Sequence, residues 1–347
     1  MTTNDRTKKP AIETAKKPAK PAKKPAQQLS MFARPRPEST EPPLWVGVDE
    51  NGLGPRLGPL VATACALETS RRDASATKLG ASLGIADSKV SSGFGSMAHA
   101  EGLALALAES ELGRVPEHAD EVLGALSLDA LDTLRAPCPA SARPQCWSNH
   151  AVPAFGGDVV DGRAILASLG DARGRTRVVR VRSAILCAST YNAAVARRGS
   201  KLDVDLELFE RLLLDVKRAT GRELRAVCGM VGGIRRYPSR FALLDAARTT
   251  TLEEDRTRAS YYVEDLGEVS FEVDADAGSL PVALASMVGK YVRELAMARQ
   301  NAFYRAHDPE LPEVSGYHDA VTGRFVEASR LLRTRLAIVD DCFERTS

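Results

Sequence analysis

Apolar positions are patterned along the chain only after residue 43. The runs LWVGVD (44–49) and PLVATACALE (59–68) are short and almost continuously apolar, which predicts two buried strands. AEGLALALAES (100–110) predicts a helix. Residues 113–175 carry Pro116, Pro137, Pro139, Pro144 and Pro153 and one convincing apolar period, EVLGALSLDALDTL (121–134). They read as an insertion, partly helical and partly loop. TRVVRVRSAILCAS (176–189) predicts a strand. DLELFERLLLDVKRAT (205–220) places Leu206, Phe209, Leu212 and Leu213 on one helical face. ELRAVCG (223–229) reads as a buried strand and RFALLDAAR (240–248) as a helix. VSFEVDAD (269–276) alternates with period two and ends in acids. Ser279 then offers an N-cap and Pro281 a first-turn proline to a helix running to about Arg305, with Val288, Tyr291, Val292 and Leu295 on its apolar face. The last forty residues read as helical again. Strands mixed with amphipathic helices predict an α/β layer fold around one sheet.

The segment before residue 44 has another character. Eight prolines (Pro10, Pro18, Pro21, Pro25, Pro35, Pro37, Pro42, Pro43) are interleaved with Lys and Ala, so residues 1–43 read as a disordered tail. Residues 1–42 hold ten basic and four acidic residues, whereas the whole chain carries a net charge of only +2. The body is therefore mildly acidic. A basic tail on such a body suits a polyanionic partner, and equally an extended, soluble linker. No apolar run approaches the length of a membrane span, and the N-terminus has no apolar signal core. Six Cys without a C-x-x-C pair read as scattered reduced thiols, the pattern of a cytoplasmic chain. Cys138, Cys146 and His150 have no zinc-ribbon or zinc-finger spacing.

The chemistry concentrates at the end of the first strand. Asp49 and Glu50 are adjacent there, followed by Gly52, Gly54, Pro55, Gly58 and Pro59. Neighbouring strand residues point to opposite faces unless the chain turns, and a glycine-rich turn starting here brings both acids to one site. Acids at the rim of a buried strand need hydration, a partner or a cation. The glycines let a phosphate or sugar approach the backbone.

GVDENGLGPRLGPLVATACALE (47–68) resembles the opening of the ribonuclease HII family (type 2 ribonuclease H). Further pieces similar to that family follow in order: GIADSKV (84–90), VGGIRRYPSRFALL (231–244), VDADAGSLPVALASMVGKYVRE (273–294) and SGYHDAVTGRF (315–325). The resemblance implies a ribonuclease H-like mixed central sheet flanked by helices, with a core over 44–112 and 176–294, the 113–175 insertion and a helical C-terminal part over 295–347. It implies hydrolysis of RNA in RNA–DNA hybrids, or at ribonucleotides in DNA, with Mg²⁺ or Mn²⁺ held by four carboxylates. Asp49, Glu50 and Asp276 match three of these. Gly52 and Gly54 match the substrate-approaching glycines, Lys89 and Lys290 the basic residues near the substrate backbone, and Tyr317 the aromatic residue on the sugar.

Two departures fall at the chemistry. The family's strand-end aspartate is Cys228 or Gly229 here, neither of which is a hard ligand. The arginine of its Gly-Arg-Gly is Leu53, with Arg56 nearby as a partial substitute. Asp274, expected to share a strand face with Asp276, is the candidate fourth carboxylate. The alternative is a non-catalytic nucleic-acid-binding relative. In the tail, Gln28-Leu29-Ser30-Met31-Phe32 resembles the peptide by which bacterial replication and repair proteins dock on the sliding clamp. The apolar Met31–Phe32 pair would enter a pocket that Gln28 rims with a hydrogen bond, with Leu29 part of the same motif.

Overall fold

The computed structural model describes residues 41–70, 74, 84, 85, 97–171 and 176–346. The tail peptide 28–32 and Lys89 lie outside the described residues. Strands β1 (Leu44–Asn51), β2 (Leu60–Glu68), β3 (Arg177–Leu186), β4 (Leu224–Gly229), β5 (Thr249–Glu254), β6 (Arg258–Val263) and β7 (Gly267–Glu272) form one seven-stranded sheet in the order β3-β2-β1-β4-β7-β6-β5. β1 runs parallel to β4, and β4 parallel to β7. The outer pairs are antiparallel. The expected mixed sheet with flanking helices is the observed fold.

Helices cover both faces, which is why β1 and β2 read as unbroken apolar runs. On one face lie α6 (Ala188–Arg198) and α7 (Lys201–Thr220). Leu208, Phe209, Leu212 and Val216 of α7 pack there on Val46, Val48, Leu224 and Ala226. Helix α7 begins earlier than its apolar period suggests. Ser200 caps it by accepting the Leu202 N–H at 3.2 Å, and Gly221 ends it at φ 69°. On the other face, α1 (Met97–Leu112) and α9 (Leu280–His307) bury Leu103, Leu284, Val288, Val292 and Leu295 against Val61 and Cys65. Pro281 stands in the first turn of α9, whereas the Ser279 side chain makes no capping hydrogen bond.

Residues 113–171 contain α2 (Ala119–Leu126), α3 (Leu131–Arg135), α4 (Arg143–Trp147) and α5 (Val159–Asp171). Val122, Leu123, Ile165 and Leu169 join the core beneath α1 and α9. Buried Glu101 accepts the backbone N–H groups of Ala154, Phe155 and Gly157 at 2.6–2.8 Å, anchoring the loop before α5.

Three expectations are corrected. Residues 240–248 form no α-helix. Only short 3-10 turns occur, at Pro238–Arg240 and Ala246–Arg248. The backbone N–H groups of Ala242, Leu243 and Leu244 are taken by the buried Glu210 carboxylate of α7, so they do not build a helical ladder. Residues 249–263, not anticipated as strands, supply β5 and β6. β5 is an exposed edge whose threonines and glutamates carry little apolar pattern. The last forty residues hold only α10 (Ala320–Ala328) and α11 (Arg330–Arg335) as α-helices. Much of this stretch is irregular backbone closing over a small core of Leu57, Met297, Tyr304, Phe325 and Phe343. Among the described residues, no helix is long and apolar enough to cross a membrane.

Candidate active site

The site is built where β1 ends at the junction of three elements. Helix α9 crosses β1 at backbone contact distance. A Cβ on Gly47 would fall 2.1 Å from the Pro281 carbonyl carbon and the Val282 nitrogen, and one on Gly289 would meet Asn51 and Thr63. This close approach lays the start of α9 on the middle of β1 and Gly289 on the strand's end, with the short helix α8 (Ala275–Gly278) packed against α9 and β4.

Asp49 accepts a hydrogen bond from the Ser286 hydroxyl of α9. Burial, with the nearby charges of Glu50 and Asp276, pushes its carboxyl up to about 7 against that hydrogen bond. Asp276 accepts the Ala277 N–H at 3.0 Å. Asp49 thus lies within the fields of both Glu50 and the late aspartate Asp276. Asp274 is placed differently. β7 ends at Glu272, so Asp274 and Asp276 share no strand face; Asp274 is exposed, in the left-handed region at φ 49°, directly before α8.

Glu50 follows the alternation of β1, whose preceding inward residues Val46 and Val48 face α7. Its carboxylate accepts the Leu53 N–H at 3.2 Å, so it turns into the glycine loop. Burial raises it, and the guanidinium groups of Arg345 and Arg293 oppose that rise. The turn expected to bring Asp49 and Glu50 onto one side does not override the strand's alternation. Among the described residues, no three His, Cys, Asp or Glu side chains stand close enough to hold one metal ion. The set Asp49, Glu50, Asp274 and Asp276 is therefore not assembled as a closed ligand shell.

The strand-end position opposite Asp49 belongs to Gly229. A Cβ there would stand 2.9 Å from Asp49 Oδ1, but glycine has no side chain to offer. Cys228 points the other way, fully buried in the α7 layer, where burial pushes its thiol far up. A soft, protonated thiol is no ligand for a hard cation.

Asp205 of α7 is the acid that the pattern reading missed. It is fully buried, and neither carboxylate oxygen has a hydrogen-bond partner. Burial raises it well above its usual range, and the charges of Glu50 and Asp49 act in the same direction. It also acts on the thiol of Cys228, on the face where β4 lacks a carboxylate. Its signal lay in the sequence: Asp205 stands three and four residues before Leu208 and Phe209, on the apolar stripe of α7. An acid on a core-facing stripe is costly unless something offsets it.

The substrate-side residues gather around the loop between β1 and β2. Gly52 has φ 96°, and Gly54 is exposed with open space where a Cβ would be. Tyr317 is half-exposed rather than a core residue, with the buried Arg293 guanidinium 4.9 Å from its ring centroid. Gly316, at φ 83°, accepts the backbone N–H groups of Arg56 and Leu57, which fixes Tyr317 beside the glycine loop. Lys290 is half-buried near Glu294 and Arg293. Arg56 is engaged by Glu344 in a two-pronged ion pair, so it is not spare to replace the missing arginine at Leu53.

No protein-family model and no curated protein matches the sequence. Among solved structures, the chain is similar to ribonuclease HII of Archaeoglobus fulgidus, determined in a complex with PCNA. That match has 16% identity and a TM-score of 0.42, and covers 87% of this chain and 94% of that one. It is also similar to ribonuclease H2 of Pyrococcus horikoshii OT3, at 13% identity and TM-score 0.42 over 86% and 92% of the two chains. Aquifex aeolicus RNase H3 matches at 14% identity and TM-score 0.40 over 87% and 71%. The likeness concerns the arrangement of sheet and helices, and no residue role is taken from it.

Proposed function

We propose that the protein is a ribonuclease HII-like nuclease that hydrolyses RNA in RNA–DNA hybrids, or at ribonucleotides embedded in DNA, with Mg²⁺ or Mn²⁺. The observation that carries this reading is the buried Asp49 at the end of β1, beside a glycine loop, with Asp276 near enough in space to act on its carboxyl. The donor chemistry fits a hard divalent cation. Burial penalises the charge on Asp49 and Asp205, a cation relieves that penalty, and neither Asp205 oxygen has a hydrogen-bond partner among the described residues. Asp49, Glu50 and Asp276 would hold the ions, with Asp205 as the fourth acid in place of the one absent at 228–229. A bound cation supplies charge stabilisation for the attacking and leaving oxygens of a phosphodiester. The chain's own residues do the positioning. Exposed Gly54 admits a 2′-hydroxyl to the backbone, buried Gly52 shapes the turn against Arg293, Tyr317 packs on the adjoining sugar, and Lys290 faces the phosphates. The basic tail, with Lys89, adds attraction for the polyanion, and residues 28–32 dock a cytoplasmic sliding clamp, raising the local concentration of the body near DNA.

A second reading, a nucleic-acid-binding relative that does not cut, is favoured by one observation: the strand end facing Asp49 carries glycine. The two are separated by incubating the full chain with a duplex containing one ribonucleotide, in Mg²⁺ and separately in Mn²⁺, against an all-DNA duplex. Incision confined to the ribonucleotide is the expected result. Salt-sensitive binding without incision in either metal establishes the second reading, and absence of binding removes both.

Asp205→Asn tests the fourth acid. A buried, neutral carboxylic acid is nearly isosteric with the amide, so the metal-free melting temperature is expected to hold or rise. Incision falls by about 10²-fold if Asp205 serves the cation. Unchanged incision and unchanged Mn²⁺ affinity by calorimetry would assign Asp205 a purely structural place.

A further inference from the structure

Residues 344–346 lie against the loop between β1 and β2. Leu57 and Glu344 pair as an antiparallel bridge, and the Arg345 N–H donates to the Arg56 carbonyl at 3.0 Å. The Glu344 carboxylate takes the Arg56 guanidinium as well. The side chain of Arg345 reaches further into the loop. Its Nε donates to the Pro55 carbonyl at 3.0 Å, and its Nη2 donates to the same oxygen. The Gly316 carbonyl accepts the Arg56 and Leu57 N–H groups at 2.8 and 3.0 Å. Successive backbone groups of Pro55, Arg56 and Leu57 are thus held by two segments far away in sequence.

The segment is itself anchored on α6. The Asn192 side chain donates its amide to the Glu344 carbonyl at 3.0 Å, and its oxygen accepts the Thr346 N–H at 2.7 Å. It therefore pairs with this backbone much as a neighbouring strand would. The guanidinium of Arg345 lies over the Tyr191 ring, 4.7 Å from its centroid. Arg345 is only 5% exposed, and its Nη1 has no hydrogen-bond partner among the described residues. An apolar side chain would fill this place on Tyr191 without the cost of burying a guanidinium. Packing alone does not account for the arginine. What the arginine adds is a fixed Pro55 carbonyl, and a positive charge that acts on Glu50 at the mouth of the same loop.

We propose that residues 344–346 form a strap that fixes the glycine loop, and that Arg345 is the positioning residue through which the loop tells a ribonucleotide from a deoxyribonucleotide. This rests on the ribonuclease reading, in which exposed Gly54 admits the 2′-hydroxyl. Backbone groups read a hydroxyl only as sharply as they are held in place. Gly52 and Gly54 bring little stiffness of their own, having no side chains. Pro55 follows directly, and its ring already fixes its φ. Holding the Pro55 carbonyl therefore leaves the peptide between Gly54 and Pro55 little freedom. The buried guanidinium acts on the substrate only through this loop.

The test uses the full chain in EDTA at one ionic strength, with a duplex carrying a single ribonucleotide and the same duplex in DNA throughout. The wild type is expected to bind the first more tightly. Arg345→Met keeps an apolar stem on Tyr191 but loses the donors. It is expected to lessen that preference about tenfold with affinity for the all-DNA duplex unchanged, and Arg345→Lys to recover part of it. Hydrogen exchange of the Arg56 and Leu57 amides should quicken in Arg345→Met, and in smaller measure in Asn192→Ala, while the amides of α7 keep their wild-type rates. Where Arg345→Met folds poorly, Asn192→Ala carries the same expectation from α6. Equal loss of affinity for both duplexes, or exchange that quickens throughout the body, assigns Arg345 to stability alone and overturns the proposal. A ribonucleotide preference that survives Arg345→Met overturns the strap and leaves the ribonuclease reading standing, whereas a wild type without preference overturns both.

Discussion

Asp49→Asn is expected to remove metal-dependent incision while making the metal-free protein more stable. Loss of one charge-stabilising or ligating group costs about 10²–10³ in rate, and an amide keeps the shape of the carboxyl without its charge. The stability gain follows from the direction of the shift. Folding raises the Asp49 carboxyl from 3.8 to about 7. As pH climbs from about 4, the unfolded chain releases this proton while the folded protein retains it, so stability falls until pH about 7 and the penalty is complete above that. The penalty corresponds to about 2–4 kcal/mol. Melting of wild type and variant should converge at pH 4 and separate at pH 8, with the variant higher. Added Mg²⁺ should close the gap from the wild-type side, since a cation offsets the cost of the buried charge and the repulsion from Glu50 and Asp276. A variant that melts lower at pH 8 without metal would show that burial and the neighbouring acids do not penalise the Asp49 charge. One that still cuts at the wild-type rate would remove Asp49 from the chemistry.

The second large effect is on packing. Gly47→Ala places a methyl carbon where the Pro281 and Val282 backbones already stand, at 2.1 Å. Backbone cannot move aside as the tip of a flexible side chain can, so α9 must lift from β1. Overpacking in a tight core costs about 1–3 kcal/mol, and a backbone-to-backbone clash belongs at the upper end. The consequence reaches the site, because α9 holds Ser286 against Asp49 and carries Asp276 just ahead of its first turn. Incision should therefore fall more steeply than the lost stability alone explains at a temperature where the variant is still folded. Denaturant unfolding gives the first quantity and initial rates at low temperature the second. A variant with wild-type stability would mean that α9 does not rest on β1 at Gly47.

Elements whose own residues carry the pattern were legible. β1, β2 and β4 read as buried strands because they are covered on both faces, and α7 and α9 as helices because their apolar stripes run for several turns. The 240–248 segment misled because its apolar spacing is local, whereas the acceptor for its N–H groups, Glu210, lies some thirty residues away. β5 stayed hidden because an exposed edge needs no apolar face.

The same division runs through the sites. Asp49, Glu50, Gly52, Gly54, Asp276 and Tyr317 were named from short motifs whose order along the chain is itself information. The alternation of an apolar strand and the burial of an amphipathic helix are likewise local consequences of side-chain size and polarity. Which way a side chain finally faces, and what meets it there, depends on elements distant in sequence. Packing decided that Gly229 rather than Cys228 looks at Asp49, that Asp205 joins the acids from α7, and that Arg56 is held by Glu344. Only the closure of the C-terminal segment over α4 and α6 joined Gln145 to the Cys342 carbonyl and Asn192 to Asp341. Such juxtapositions arise from burial and hydrogen bonding across hundreds of residues, and no periodicity in a short window records them.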